Sequence, residues 1–130
     1  MKKPDSNYKA WLAKATNDML NIQNNLSADS IPWDTVCFHA QQAAEKTLKA
    51  FLSYHSLPIT RTHDLVALLS QAAEINAALV QLRASCQRLN YYAIGSRYPD
   101  DLFEPDEKEG REMVKISRQL QQAINDLLPQ

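Results

Sequence analysis

The sequence predicts an all-α fold, an antiparallel up-and-down bundle of four long helices and one short helix. Only two of the 130 residues are glycine, which is scarce for a protein built on hairpin turns. Alanine, leucine, glutamine, lysine and glutamate, which all favour helices, are abundant. Apolar residues recur every three or four positions, the spacing that places them on one side of a helix. Because this length supplies one hydrophobic core, we expect a single domain over residues 1–130, with its core within about residues 6–128.

The first two helices account for about a third of the chain. A single apolar stripe predicts the first helix from about Ser6 to Leu26. Pro32 and Asp34 open the second, because proline is tolerated in a first helical turn and an acid is favourable there. It ends near Tyr54 or His55. Apolar residues cover a wide arc of this second helix, as expected for the central helix of a bundle.

Three further helices follow, each with its own start signal. Thr62 is the predicted N-cap of a short helix that begins near residues 63–65, and Asn76 is the predicted cap of the next helix. The helical pattern is lost between residues 95 and 105, which favours a turn-rich connection. The last helix starts near Asp106, where acidic residues complement the helix dipole.

Composition limits the classes of function. The formal net charge is −1, so any contact with nucleic acid or a nucleotide has to come from a local cluster of charge. Cys37 and Cys86 lie in apolar stretches, which favours buried free thiols in a reducing compartment; a disulfide between helices is the alternative. No signal peptide and no apolar run of the ~18 residues needed to span a membrane is evident, so we expect a cytoplasmic protein that does not bind membranes.

Three sequence blocks resemble one known family. Residues 38–50 (FHAQQAAEKTLKA) look like the second-helix signature of HEPN domains (higher eukaryotes and prokaryotes nucleotide-binding). Residues 62–65 (THDL) are similar to the family's short-helix motif, and Arg97-Tyr98-Pro99 resembles the motif before its last long helix. The resemblance extends from about residue 6 to residue 128. It implies a helical bundle that often dimerises and, in prokaryotes, a frequent partnership with a minimal nucleotidyltransferase encoded alongside, many such pairs being toxin and antitoxin.

The sequence departs from the family in one respect that bears on activity. Many HEPN proteins are metal-independent ribonucleases whose motif is an Arg followed, after roughly four to six residues, by a His. Here histidine occurs only at positions 39, 55 and 63, and none follows Arg97. The ribonuclease motif is absent, so the resemblance supports the fold more strongly than an enzymatic activity.

The second helix carries the first group of candidate site residues. Gln41, Glu45 and Lys49 are four residues apart and therefore share one helical face. This face is either a solvated surface or, because Phe38 falls at nearly the same angle, a partner surface or an internal polar network. Phe38, Gln41 and Glu45 are the interface candidates, and Lys46 and Lys49 are available to bind phosphate.

The second group lies in the two other motifs. His63 and Asp64 either have a structural role at a helix start or form an anion site there. Arg97 and Tyr98 either fix their loop or bind a phosphate and stack on a base. The predicted nucleotide site comprises Lys46, Lys49, His63, Asp64, Arg97 and Tyr98.

The resemblance, taken together with these candidate residues, implies three functional hypotheses. The first is a non-hydrolytic module that dimerises and binds a nucleotide or a nucleotidyltransferase partner in a toxin–antitoxin-like or defence pair. The second is a metal-independent ribonuclease with a rearranged site, in which His63 is the general acid or base and Arg97 stabilises the transition state on RNA. The third is a structural scaffold whose polar face only assembles a dimer. No zinc pattern, glycine-rich phosphate loop or Ser/His/Asp arrangement is evident, so we expect no metal and no cofactor.

Overall fold

The all-α prediction is confirmed by the computed structural model, which describes residues 4–93 and 105–129. Within those two ranges every regular element is a helix. The elements are α1 (Pro4–Leu26), α2 (Trp33–Tyr54), α3 (Leu65–Ile75), a 3-10 helix (Ala77–Leu82), α4 (Arg83–Asn90) and α5 (Glu107–Asn125).

Helix α2 forms the centre of the fold, as its wide apolar arc predicts. It packs against α1, α3, α4 and α5. Many of its positions are alanine, which lets neighbouring helices approach closely. Its buried apolar side chains, almost all without any solvent exposure, are Val36, Cys37, Ala40, Ala43, Ala44, Leu48, Ala50, Phe51 and Leu52.

Helices α1 and α2 run in opposite directions along each other. The Tyr8 and Tyr54 rings meet edge to face with their centroids 5.1 Å apart. Further along, the Asp18 carboxylate contacts the His39 ring. The residue numbers of the contacting pairs thus increase along α1 and decrease along α2, so the two helices are antiparallel, as expected for helices joined by a short connection.

Helix α5 runs in the same direction as α2. The Trp33 ring packs against Gly110 at one end of the pair. Seven residues later on both helices, the Ser117 hydroxyl donates a hydrogen bond of 2.6 Å to the carbonyl oxygen of Ala40. The equal offset of these two contacts fixes the parallel direction.

The segment 55–64 returns along α2 without forming a helix. It leaves α2 with a hydrogen bond of 3.0 Å from the Leu57 amide to the Leu52 carbonyl, and it ends where the His63 carbonyl accepts a hydrogen bond of 3.1 Å from Gln41. Gln41 lies about 20 Å from the end of α2 at 1.5 Å per residue, and this segment in extended form can span about 33 Å. The return places the start of α3 beside the middle of α2, and so positions His63 on the polar face of α2.

The start of α3 differs from the predicted cap. The residue that caps α3 is Asp64, whose Oδ1 accepts hydrogen bonds from the amides of Val66 (3.0 Å) and Ala67 (3.4 Å). Thr62 acts one step earlier, since its hydroxyl accepts a hydrogen bond of 3.1 Å from the Asp64 amide. The helix therefore begins at Leu65 because a carboxylate offers the free amides a stronger acceptor than a hydroxyl.

The predicted helix after Asn76 is divided into two short elements. Asn76 is confirmed as a cap, because its side chain accepts a hydrogen bond of 3.1 Å from the Ala78 amide. The chain then forms the 3-10 helix, in which Leu79 is the buried residue, before α4 begins at Arg83. This tight turn redirects the chain so that α4 packs back along α3.

The structure also bears on the predictions about the two cysteines and about membrane-spanning helices. Cys37 and Cys86 are both free and buried, which confirms buried thiols over a disulfide. Burial raises the pKa of each thiol to about 12. Among the residues that the structure describes, no helix combines the length and the apolarity needed to cross a membrane.

Candidate functional site

The polar residues of α2 converge on a buried carboxylate, Glu45. Only 4% of its side chain is exposed. Its Oε2 accepts a hydrogen bond of 2.9 Å from Lys49 Nζ, and its Oε1 lies 3.0 Å from His63 Nδ1 and 3.3 Å from Gln41 Nε2. Gln41, Glu45 and Lys49 are all buried, so they form an internal polar network and not a solvated face.

Lys49 is surrounded by groups that stabilise its charge. Besides the Glu45 carboxylate, its ammonium nitrogen lies 5.4 Å from the centre of the Trp11 ring, within the range of a cation–π contact. A buried ion pair is tolerated only when its partners satisfy both charges. The ammonium of Lys49 is therefore occupied within the fold.

A second buried carboxylate, Asp18 on α1, lies on the neighbouring face of α2. Its Oδ2 is 2.6 Å from Lys46 Nζ, and its Oδ1 is 2.8 Å from His39 Nδ1. Asp18 is absent from the sequence-based candidates. The signal that identifies it is its position three residues after Ala15 and four before Ile22, which places a carboxylate within the apolar stripe of α1.

The two networks are balanced in charge. Asp18 neutralises Lys46, and Glu45 neutralises Lys49. Neither lysine therefore provides an uncompensated positive charge for a phosphate, and a nucleotide bound here would have to compete with a buried carboxylate.

His63 is the member of the network that remains open to solvent. Its side chain is 67% exposed although its Nδ1 contacts Glu45. An ionised carboxylate only accepts hydrogen bonds, so Nδ1 carries the hydrogen in this contact, and Nε2 is the ring nitrogen left for another molecule. The carboxylate thus fixes both the orientation and the tautomer of an exposed imidazole.

Asp64, the neighbouring candidate, forms hydrogen bonds with the start of α3 and with the end of α4. Besides capping α3, its Oδ1 accepts a hydrogen bond of 2.8 Å from Asn90 Nδ2 at the end of α4. The Asn90 bond is the main cause that lowers the pKa of Asp64, and the amides of Val66 and Ala67 lower it further. Asn90 Oδ1 also accepts a hydrogen bond of 2.8 Å from the Leu65 amide. These contacts support the structural interpretation of Asp64.

A third polar cluster joins α4 to α5. The Tyr92 hydroxyl donates a hydrogen bond of 2.7 Å to Glu109 Oε2, and Arg88 forms ion pairs with Glu109 and Glu112 at 3.1 and 3.5 Å. Burial, followed by the hydrogen bond to Glu109, raises the pKa of Tyr92. The cluster is explained by packing between these two helices.

The outward part of the α2 site consists of Phe38, Gln42 and His63. Phe38 is half-buried with its ring 5.2 Å from that of His39, and Gln42 donates a hydrogen bond of 2.7 Å to the Gln41 side chain. We name these three residues the α2 recognition surface. They present an aromatic ring, an amide and an imidazole, and the contacts with Gln41 and Glu45 hold the amide and the imidazole in place.

The predicted site is brought together in part. Lys49 and His63 both contact Glu45, whereas Arg97 and Tyr98 lie outside the described residues. The convergence of Arg97 with this network remains a prediction. In the ranges 4–93 and 105–129, no group of three or more His, Cys, Asp or Glu side chains is placed to hold a metal ion.

Comparisons with known proteins agree with this architecture. A family model described as the HEPN domain matches residues 8–127. The crystal structure of TT1696 from Thermus thermophilus is similar with a TM-score of 0.81 and 24% identity, covering 93% of this chain and 98% of that one. ST0689, described as an archaeal HEPN homologue, is similar with a TM-score of 0.73 and 21% identity, covering 98% of both chains. At these identities the two structures support the fold alone. No curated protein matches the chain significantly.

Proposed function

The chain belongs to the HEPN domain family, and from this premise we propose that it is a non-hydrolytic binding module that works with a minimal nucleotidyltransferase in a toxin–antitoxin-like or defence pair. The observation that carries the proposal is the charge-balanced network on α2, which supports a recognition surface made of the half-buried Phe38 and Gln42 and the exposed His63. The proposal includes a homodimer, as is frequent in the family.

Charge balance favours a protein partner over a nucleotide as the occupant of the α2 recognition surface. Phosphate binding is driven largely by uncompensated cations. Lys46 and Lys49 are each neutralised by an internal carboxylate. The nucleotide-binding role of Lys46, Lys49, His63, Asp64, Arg97 and Tyr98 stays a prediction.

The composition of the surface is also typical of protein interfaces. Aromatic residues are enriched at such interfaces, and hydrogen-bonding groups are usually placed beside them. Phe38 supplies the aromatic ring, and Gln42 and His63 supply the polar groups. Because Glu45 orients His63, little side-chain freedom is lost when a partner binds.

The test is co-expression with the nucleotidyltransferase encoded beside this chain, identified by a Gly-Ser and paired-Asp pattern. We expect the two proteins to co-purify, and we expect the growth defect caused by one protein to be relieved by the other. Phe38→Asp should abolish co-purification, whereas His55→Ala, which removes an exposed histidine at the end of α2, should not. The absence of both such a neighbouring gene and a co-purifying partner contradicts the proposal.

A ribonuclease remains the second candidate because of one observation, the contact between His63 and Glu45. A carboxylate that holds Nδ1 and leaves Nε2 for the substrate is a common arrangement for a general base. The required cation, Arg97, lies outside the described residues, and the ribonuclease motif of the family is absent from the sequence.

Incubation of the pure protein with structured and unstructured RNA in the presence of EDTA separates the two candidates. The binding proposal predicts no cleavage above that of a blank. Cleavage that is lost in His63→Ala and retained in His55→Ala would establish the ribonuclease and overturn the non-hydrolytic proposal.

A further inference from the structure

A groove runs between α1 and α5, which both pack against α2. The side chains of Met19 and Gln121 cross it, with Sδ and Nε2 3.2 Å apart. Beyond this crossing, Leu26 and Val114 line a hollow of about 320 Å³. The remaining lining residues of the hollow are Arg111, Lys115, Arg118 and Gln119.

The rim of the hollow belongs to a continuous stripe of positive charge on α5. Lys108, Arg111, Lys115 and Arg118 are exposed and follow one another at spacings of three and four residues. This spacing places all four on one side of the helix, over a length of about 15 Å. We call these four residues the α5 basic stripe.

Most of this charge has no ion-pair partner among the described residues. Arg111 is 2.8 Å from Glu107 and lies 5.3 Å from the centre of the Trp33 ring. Within residues 4–93 and 105–129, no carboxylate lies within ion-pair distance of Lys108, Lys115 or Arg118. The stripe thus differs from Lys46 and Lys49 of α2, each of which has a carboxylate partner.

We propose that the α5 basic stripe and the hollow beside it bind an acidic amphipathic helix of a partner protein. Cations repeated at helical spacing match carboxylates repeated at the same spacing on an opposing helix. The apolar contact is made by Leu26, which is half-buried at the edge of the hollow, since Val114 belongs to the buried core with 4% of its surface exposed.

The lining of the hollow favours a protein over a nucleic acid. Single-stranded nucleic acids are bound by aromatic faces as well as by cations. The described residues that line the hollow include no aromatic side chain. The ring of Trp33, which lies beside Arg111, is in contact with both Arg111 and Gly110.

This surface is separate from the α2 recognition surface. The α1–α5 groove continues past the Met19–Gln121 crossing into a second hollow lined in part by Thr47. Thr47 is two residues from Glu45, and two residues rotate a helix by about 200°, so the groove and the Glu45 network lie on opposite sides of α2. The inference therefore does not depend on the proposed nucleotidyltransferase partner.

NMR titration of the ¹⁵N-labelled full chain tests the proposal. The probe is a sixteen-residue synthetic helix with glutamates at positions i, i+4 and i+7 on one side and leucines on the adjacent side; a peptide with glutamines in place of the glutamates is the matched probe. We expect amide shifts confined to residues 108–119 and the last turn of α1. Lys115→Glu/Arg118→Glu should bind roughly tenfold more weakly. Lys9→Glu/Lys14→Glu, which makes the same change of charge at two exposed lysines of α1, should bind as the wild type does.

Four results would overturn the proposal. The first is an absence of shifts at millimolar peptide, and the second is equal binding of the glutamine and glutamate peptides. The third is an equal loss of binding in the two double variants. The fourth is a twelve-nucleotide single-stranded RNA that shifts the α5 amides when the acidic peptide does not, which would identify the stripe as a nucleic-acid surface. Folding of every variant is checked in the same spectra.

Discussion

The substitution Lys49→Met tests whether the network around Glu45 is a buried and mutually dependent unit. Methionine keeps most of the volume of the side chain but removes the ammonium that is 2.9 Å from Glu45 Oε2. The carboxylate is left 4% exposed, with hydrogen bonds only from Gln41 and His63. Removing one partner of a buried pair typically costs about 3–5 kcal/mol, and because these two donors remain we expect the lower value, about 3 kcal/mol.

Urea denaturation followed by circular dichroism measures this loss. With an m-value of about 2 kcal/mol/M, the midpoint of unfolding should fall by about 1.5 M. The matched control is Lys14→Met, which removes an exposed lysine of α1 and should change the free energy of unfolding by less than about 0.5 kcal/mol.

The double variant Glu45→Leu/Lys49→Met separates loss of charge pairing from loss of packing. Because both buried charges are removed together, the double variant should be more stable than Lys49→Met alone. If Lys49→Met costs no more than Lys14→Met, or if the double variant is as unstable as the sum of its single changes, the reasoning about the buried pair is refuted.

Three other predictions concern separate contacts. A change from glycine to alanine usually stabilises a helix, but Gly110→Ala should destabilise the protein by about 1–3 kcal/mol, because the new Cβ would lie 2.9 Å from Cζ3 of Trp33. Thermal unfolding measures the sign of this change, and a raised Tm contradicts the prediction. Asn90→Ala should raise the pKa of Asp64 towards its ordinary value in an NMR titration. Because the pKa of Asp64 is lowered in the folded state, its stabilising contribution is present above its unfolded pKa and is lost as the pH falls through its folded pKa. Asn90→Ala should therefore make the free energy of unfolding less sensitive to acid. An unchanged titration of Asp64 in this variant argues against the bond. The two cysteine thiols, whose pKa values burial raises to about 12, should not react with a thiol reagent at pH 8 in the native protein but should both react in guanidinium, and rapid native labelling contradicts their burial.

The helices themselves could be predicted because their signals are local. The apolar stripe of α1, and Pro32 with Asp34 at the start of α2, predict where these helices begin to within two residues. The route between elements could not be predicted in the same way. Nothing in residues 55–64 indicates that they return along α2, because that path depends on packing with residues distant in sequence. The direction of α5 relative to α2 depends on distant contacts in the same way.

The candidate site was predicted where one helix carries it and missed where two helices meet. The four-residue spacing of Gln41, Glu45 and Lys49 placed them on one face, and the structure shows that this face is buried. Asp18 was missed because an acid in an apolar stripe indicates burial but does not name its partner. Asn90 was missed for a similar reason, since a helix-end asparagine gives no sign of the second helix that it joins.

Calorimetric titration of the proposed nucleotidyltransferase partner into this chain tests the central claim most directly, since that claim is that the contact with Glu45 orients His63 for binding. We predict that the wild type and His55→Ala bind equally, and that His63→Ala binds roughly tenfold or more weakly while remaining folded. Equal affinity of His63→Ala and the wild type would contradict the claim.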